Sequence, residues 1–146
     1  MQKSTSSVGI VAFALMALFA CQAASETRQL FRSLQLAQEA LDQYLWKNRP
    51  VLLFAPSERD EAYGLQMETL AADKSGLAER HIVVLSDVSA PGGSELREAL
   101  EIDGFEIVLI GKDGGVKLRS KTPLDVEKLY AVIDSMPMRR REMRDM

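Results

Sequence analysis

Val51-Leu52-Leu53-Phe54-Ala55 is a continuous apolar run that lies between Pro50 and Pro56. Five apolar residues in succession, without polar alternation, are typical of a strand buried on both faces, as in the centre of a parallel sheet. Two similar runs follow, at residues 81–85 (HIVVL) and 105–110 (FEIVLI). Amphipathic segments lie between the three runs, so the sequence predicts an α/β fold with the order β-α-β-α-β.

The segment after the third run predicts a hairpin. Asp113-Gly114 lies between that run and Val116-Lys117-Leu118-Arg119, and an Asp-Gly step between two strand patterns is typical of a tight turn. The fourth strand is therefore antiparallel to the third. Because its charged and apolar residues alternate, we expect it to lie at an edge of the sheet.

Capping residues predict where the helices begin and end. Ser57 is the expected N-cap of the first helix and Gly76 the residue that ends it. Ser94 is the expected N-cap of a short second helix. Thr122-Pro123 is expected to open the last helix, which Pro137 ends.

A further helix is predicted before the first strand. Residues 26–47 repeat apolar side chains at helical spacing, with glutamines and acidic residues on the other side. These apolar residues are Leu30, Phe31, Leu34, Ala37, Leu41, Tyr44 and Leu45. We expect this amphipathic helix to pack on the domain that follows.

The first 23 residues are typical of a secretory signal peptide. Lys3 precedes an apolar run at residues 10–20, and small residues follow it. Eleven helical residues rise only about 16 Å, too short for a hydrocarbon core of about 30 Å. Two processing sites remain open. Cys21 resembles the lipidated first residue of a bacterial lipoprotein, and cleavage after Ala23 would instead remove Cys21. Both predict a periplasmic or secreted protein, with membrane attachment only through a lipid on Cys21.

The composition excludes several classes of function. The chain of 146 residues has a net charge of −3, which argues against binding to nucleic acid. Its single cysteine excludes a disulfide framework and a CxxC motif, and its single histidine excludes any metal site with two histidine ligands. His81 and the acidic residues Glu58, Asp60 and Glu61 are expected to have structural roles, the latter at a helix start.

Positive charge is concentrated near the C-terminus. Residues 112–146 contain nine basic and six acidic side chains, whereas residues 22–111 contain eight basic and fifteen acidic ones. The predicted contact residues are Lys112, Lys117 and Arg119 on the hairpin, and Arg139, Arg140 and Arg141 on the C-terminal tail. If the tail lies against the hairpin, they form one positive patch for an anionic envelope surface or an acidic protein partner. The alternative is a solvated tail.

Three stretches resemble one bacterial family. They are residues 44–56 (YLWKNRPVLLFAP), residues 109–119 (LIGKDGGVKLR) and residues 134–144 (DSMPMRRREMR). This family is the domain of unknown function 4174, which is also found in vertebrate extracellular sushi-repeat and coiled-coil-domain matrix proteins. The resemblance covers about residues 38–144. It implies a thioredoxin-like or peroxiredoxin-like fold and an extracytoplasmic location, and it implies no established activity.

The order β-α-β-α-β-β-α, with a sheet of about four strands, is similar to that of thioredoxins. In a working thioredoxin the first strand of this order leads to a CxxC turn, whereas here that place is taken by Ser57-Glu58-Arg59-Asp60-Glu61. Hydroxyl and carboxylate groups have no disulfide chemistry, so we expect the domain to be redox-inactive. The sequence predicts no catalytic residue, no cofactor and no metal ligand.

The predicted organisation is a signal peptide at residues 1–23, a helix and linker at 24–48, a thioredoxin-like domain at 49–136 and a basic tail at 137–146. The predicted function is that of a binding or scaffolding module in the bacterial cell envelope. The alternative is an enzyme related to peroxiredoxins that uses chemistry other than that of a thiol.

Overall fold

The computed structural model of the protein describes residues 30–33, 41–89 and 93–146. Within these ranges, helices cover both faces of a five-stranded sheet with the order β1-β3-β2-β4-β5. The strands are β1 (Phe31–Ser33), β2 (Arg49–Ala55), β3 (Ile82–Val88), β4 (Glu106–Ile110) and β5 (Val116–Ser120). The helices are α1 (Glu61–Ala72), α2 (Lys74–Glu79), α3 (Glu95–Ala99), α4 (Val126–Asp134) and α5 (Pro137–Arg144).

Strand β2 lies at the centre of the sheet, and all seven of its residues are buried. It pairs in parallel with β3 and antiparallel with β4. Because successive side chains of a strand point to opposite faces, Leu52 and Phe54 join one apolar cluster, whereas Val51 and Leu53 join the other. The prediction of a strand buried on both faces is confirmed.

Each apolar cluster joins the sheet to its own helices. On one face, Tyr44 and the partly buried Leu96 of α3 pack near Leu52 and Phe54. On the other face, Leu70 of α1, Leu77 of α2 and the α4 residues Leu129 and Ile133 cover Val51 and Leu53. The result is a three-layer α/β/α arrangement, with the sheet as the middle layer.

The predicted hairpin and its edge strand are confirmed. Strands β4 and β5 are antiparallel, and β5 has a neighbour on one side only. The turn is closed by a hydrogen bond from the Gly111 amide to the Gly115 carbonyl. Gly114 has φ +80°, a left-handed conformation that glycine adopts without steric cost. The sheet has five strands rather than about four because β1 was not predicted.

The prediction of an amphipathic helix over residues 26–47 agrees with the helical conformation of Leu30 but is wrong at residues 31–33 and 41–47. Phe31–Ser33 is a strand that pairs in parallel with β3, and Asp42–Tyr44 is a single 3-10 turn. The edge of β3 offers unpaired backbone groups, and pairing with it outweighs the local helical pattern. Residues 26–29 and 34–40 of the predicted helix lie outside the described residues, as do the predicted signal peptide and Cys21.

Several predicted helix boundaries are displaced. Helix α1 begins at Glu61, and its N-cap is Asp60, whose carboxylate accepts a hydrogen bond from the Tyr63 amide. Asp60 is a strong capping residue and competes successfully with Ser57. Gly76 lies inside α2 rather than at the end of α1, because Asp73 interrupts the helix and caps α2. The last predicted helix begins at Val126 rather than at Thr122-Pro123.

The predicted basic tail is a folded helix. Pro137 ends the preceding helical segment as expected, but it is also the first residue of α5. A proline is tolerated at this position because the first amide of a helix has no partner within the helix. None of the helices in the described ranges is both long enough and apolar enough to span a membrane.

Two leucines of α1 provide a test of how this helix lies on the sheet. Leu70 is fully buried, whereas Leu65 is 55% exposed. We expect Leu70→Ala to lower the free energy of unfolding by about 2–5 kcal/mol, since it leaves a cavity in the core. The matched change Leu65→Ala should cost less than about 1 kcal/mol. Urea denaturation measures both, and equal effects would contradict this orientation of α1.

Candidate functional site

Helix α5 packs against the sheet through charged side chains. Arg139 is 1% exposed, and its guanidinium contacts the Glu79 carboxylate, the Glu79 carbonyl at 3.1 Å and Asp134 at 3.2 Å. Glu142 lies three residues further along the helix, on the same side. The two residues form the inner face of α5, while Arg140, Arg141 and Arg144 are exposed.

Glu142 is the centre of an ion-pair cluster. Arg49, the first residue of β2, donates from Nη1 and Nη2 to the two Glu142 oxygens, both at 3.1 Å. Lys112, at the start of the hairpin turn, lies 2.7 Å from Glu142 Oε1 through its Nζ. Burial alone would raise the pKa of the Glu142 carboxyl, but the hydrogen bonds from Arg49 and Lys112 outweigh it and lower the pKa to about 2. Glu142 is therefore ionised at neutral pH.

His81 completes the cluster as a neutral acceptor. Burial and the charge of Lys112 lower its pKa below the usual value of 6.5, against the opposing effect of Glu142. Lys112 Nζ donates to the unprotonated His81 Nδ1 at 2.8 Å. His81 has φ +53° and lies immediately before β3, where its carbonyl accepts from the Arg49 amide at 2.8 Å. The contacts of His81 are structural, and none of them indicates a role in acid–base catalysis.

A second group of ion pairs holds α4, α5 and α2 together. Arg80 donates to both oxygens of Asp134, at 3.1 and 2.8 Å, and its guanidinium lies 3.9 Å from the centre of the Tyr130 ring. The Tyr130 hydroxyl donates to Asp73 at 3.0 Å. Burial and this contact with Asp73 raise the pKa of Tyr130 well above its usual range. These bonds join α4 to α2, and Arg139 of α5 joins the same group through Asp134 and Glu79.

A cleft of about 440 Å³ lies between the hairpin turn and the α4–α5 junction. One wall contains Gly111, Lys112, Asp113 and Lys117, together with Arg49. The other wall contains Val132, Ser135, Met136, Pro137, Met138 and Arg141. The volume is within the range of about 300–1,000 Å³ that is usual for small-molecule sites.

Only some of the predicted contact residues lie together: Lys112, Lys117 and Arg141 line the cleft. Arg119 is directed elsewhere, because it donates to the Leu100 carbonyl at the end of α3. Lys112 is 8% exposed and Arg139 is 1% exposed, and both are engaged in ion pairs within the protein. Arg119 pairs with the buried Glu106, and Lys117 pairs with Asp113 at 2.7 Å. Arg140 and Arg141 are exposed and have no ion pair within the described residues.

Sequence reasoning did not identify Arg49, His81 and Glu142 as members of this region. In the sequence, Glu142 is one of six acidic residues in the basic C-terminal segment, and Arg49 is the first residue of the predicted domain. The available signal is that Arg49 lies two residues before the apolar run that begins at Val51, where its side chain is easily buried, since a buried guanidinium needs a carboxylate partner. The spacing of Arg139 and Glu142 on one helical face is a second signal.

The turn after β2 contains the residues that occupy the place of a redox motif. Ser57 and Glu58 are exposed, the Ser57 hydroxyl accepts from the Arg59 amide at 3.3 Å, and Asp60 caps α1. Among the residues that the structure describes, no group of three or more His, Cys, Asp or Glu side chains is arranged to hold a metal ion. The contacts of Ser57 and Asp60 are those expected at the N-terminus of a helix, here α1.

The Glu142 cluster leads to a prediction about stability and pH. At neutral pH, Glu142→Gln should lower the free energy of unfolding by about 3–5 kcal/mol, because it leaves Arg49 and Lys112 buried without their carboxylate. In the unmodified protein this contribution is present above the usual carboxyl pKa of 4.5 and is lost as the pH falls towards 2. The variant should lack that part of the pH dependence.

Urea denaturation between pH 2 and pH 7 measures both effects. Glu127→Gln is the matched control, since Glu127 is an exposed glutamate on α4. Its stability should change by less than about 0.5 kcal/mol. Equal stability of the Glu142→Gln and Glu127→Gln variants at pH 7 would contradict a central role for Glu142.

Comparisons with known proteins identify the relatives of this chain. A family profile described as "Domain of unknown function (DUF4174)" matches residues 40–142. The Coiled-coil domain-containing protein 80 of Danio rerio is 28% identical over 133 residues, which cover 70% of this chain and 15% of that protein. The human Sushi repeat-containing protein SRPX is 30% identical over 124 residues, which cover 73% of this chain and 27% of that protein. The chain thus spans less than a third of the length of these curated relatives.

Solved structures show the fold class. A reduced 2-Cys peroxiredoxin of Plasmodium vivax superposes with a TM-score of 0.57 at 14% identity, over 69% of this chain and 84% of that one. Oxidised thioredoxin O2 of Arabidopsis thaliana superposes with a TM-score of 0.53 at 16% identity, over 75% of this chain and 96% of that one. The fold is thioredoxin-like, as the sequence predicted. By its sequence match over residues 40–142, the chain belongs to the DUF4174 family.

Proposed function

We propose that this protein is an exported, redox-inactive thioredoxin-like module that binds an anionic partner through a basic face. We define the basic face as Lys117, Arg140 and Arg141, three exposed members of the predicted contact residues. Arg119 is also exposed but is left out, because it pairs with Glu106. The partner is an anionic envelope surface, with an acidic protein as the alternative. The site of action is the periplasm or the cell exterior, because residues 1–23 read as a secretory signal.

The observation that supports the binding role is that Lys117 and Arg141 line the same cleft. The two side chains come from different elements. Glu142 and Asp134 neutralise the buried Lys112 and Arg139 within the protein, so those two side chains hold the face in shape. Exposed cations on a rigid surface attract anions without the cost of ordering a loose tail.

Redox inactivity is supported by the residues after β2. Ser57-Glu58-Arg59-Asp60 offers no thiol, and the single cysteine of the chain is Cys21, outside the family match. A disulfide or peroxide reaction needs a thiolate as its nucleophile. A domain that retains the thioredoxin-like framework without its thiols can still bind a partner through its surface, but it has no redox chemistry.

The redox part is tested on the full chain and on a Cys21→Ser variant. We expect neither protein to reduce insulin disulfides or to consume hydrogen peroxide above the rate in buffer, because the folded domain has no thiolate. Turnover by the Cys21→Ser variant would contradict the proposal. That result would favour an enzyme with chemistry other than that of a thiol.

The binding part is tested with vesicles that contain an anionic phospholipid. Arg140→Gln should weaken binding about fivefold, since each basic residue near an anionic membrane contributes about 1 kcal/mol. Added salt should weaken the binding of the unmodified protein, because exposed charges are screened.

Two controls accompany the vesicle measurement. Neutral vesicles report any contribution of the apolar residues 10–20. Arg59→Gln changes an exposed arginine in the turn after β2. This turn belongs to neither the hairpin nor α5, so the variant should leave binding unchanged. Equal binding of the Arg140→Gln and Arg59→Gln variants would contradict the proposed role of the basic face.

A further inference from the structure

The cleft between the hairpin turn and the α4–α5 junction combines charge with apolar surface. Arg49, Lys112, Lys117 and Arg141 contribute four positive charges to its lining, and Asp113 contributes one negative charge. Glu142 neutralises part of this excess through its bonds to Arg49 and Lys112. With Glu142 included, the cleft keeps a net charge of +2, in a protein whose net charge is −3.

Two of these cations are accessible to a further anion. Arg141 is exposed and has no ion pair within the described part of the chain. Lys117, on the facing wall, is also exposed; it pairs with the single carboxylate of Asp113, and its ammonium group has further N–H donors. Arg49, by contrast, is buried and already holds Glu142.

The wall formed by the helices is mostly apolar. Four of its six lining residues are Val132, Met136, Pro137 and Met138, and the other two are Ser135 and Arg141. Methionine side chains are flexible and adapt to the shape of an apolar ligand. A site for a bare inorganic anion does not need such a wall, whereas a ligand with a hydrocarbon chain gains free energy by covering it.

We infer that this cleft binds a small amphiphilic carboxylate of the fatty-acid type. Its carboxylate lies near Lys117 and Arg141, and its hydrocarbon chain lies along Val132, Met136 and Met138. The inference rests on the proposed binding role of the basic face, and it names the chemical class of one ligand of that face. An arginine guanidinium matches the geometry of a carboxylate, which gives the cleft its selectivity for the head group.

The experiment titrates the full chain with octanoate below the concentration at which it forms micelles. The probe of position is the set of carbon-13-labelled methionine methyl groups, followed by NMR. The Met136 and Met138 resonances should shift with a saturable dependence on octanoate concentration. The Met67 resonance should stay in place, because Met67 lines a different cavity beside β1.

Three comparison ligands test separately the contributions of the negative charge and of the hydrocarbon chain to binding. Acetate and inorganic phosphate carry the charge without the chain, and octanol carries the chain without the charge. Each should bind at least tenfold more weakly than octanoate, since one fully buried methylene contributes about fourfold in affinity and a charged hydrogen bond contributes about tenfold or more. Equal affinity for acetate and octanoate, or for octanol and octanoate, would overturn the inference.

Two matched variants of α5 test where the carboxylate of octanoate binds. Arg141→Gln should weaken octanoate binding about tenfold. Arg144→Gln, also on α5 and exposed but outside the lining of the cleft, should leave it unchanged. Equal affinities of these two variants, or a shift of Met67 without shifts of Met136 and Met138, would also overturn the inference. Binding of anionic vesicles through Arg140 is measured separately, because Arg140 does not line the cleft.

Discussion

The arrangement of the C-terminal third depends on one carboxylate, that of Glu142. A guanidinium buried at the start of the central strand is unfavourable without an opposite charge, and Glu142 supplies that charge with two hydrogen bonds to Arg49. The same carboxylate holds Lys112, so it joins β2, the hairpin turn and α5. The position of α5, and with it the wall of the cleft, follows from this contact.

The charges of the C-terminal region therefore divide into two populations. Arg49, Lys112 and Arg139 are buried beside carboxylates and act within the protein. Arg140 and Arg141 face solvent on the same helix. The net charge of a sequence segment counts both populations equally, so it overstates what a partner meets. In the described structure the exposed positive patch is smaller than the sequence predicts, because Lys112 and Arg139 are buried. A cleft lies beside the remaining exposed residues.

The sequence predicts those parts of the fold that depend on local signals. The apolar run at Val51–Ala55 and the Asp113-Gly114 turn each carry enough local information to be placed correctly. Strand β1 was missed because its pairing with β3 joins residues about 50 positions apart, and no local pattern reports such a contact. Arg139 and Glu142 read as solvated for a related reason, since burial of a charge depends on a partner that lies far away in the sequence.

The bond between Arg49 and Glu142 also has a consequence for the order of events during synthesis. The two residues are 93 positions apart, so β2, β3, β4 and β5 have all been made before Glu142 is available. Until then Arg49 lacks its carboxylate partner, and the guanidinium at the start of β2 remains unpaired within the protein. Native packing at this end of the sheet is therefore a late step, completed only when α5 has left the ribosome. A chain interrupted between residues 120 and 142 contains all five strands of the sheet but lacks the carboxylate that pairs with Arg49.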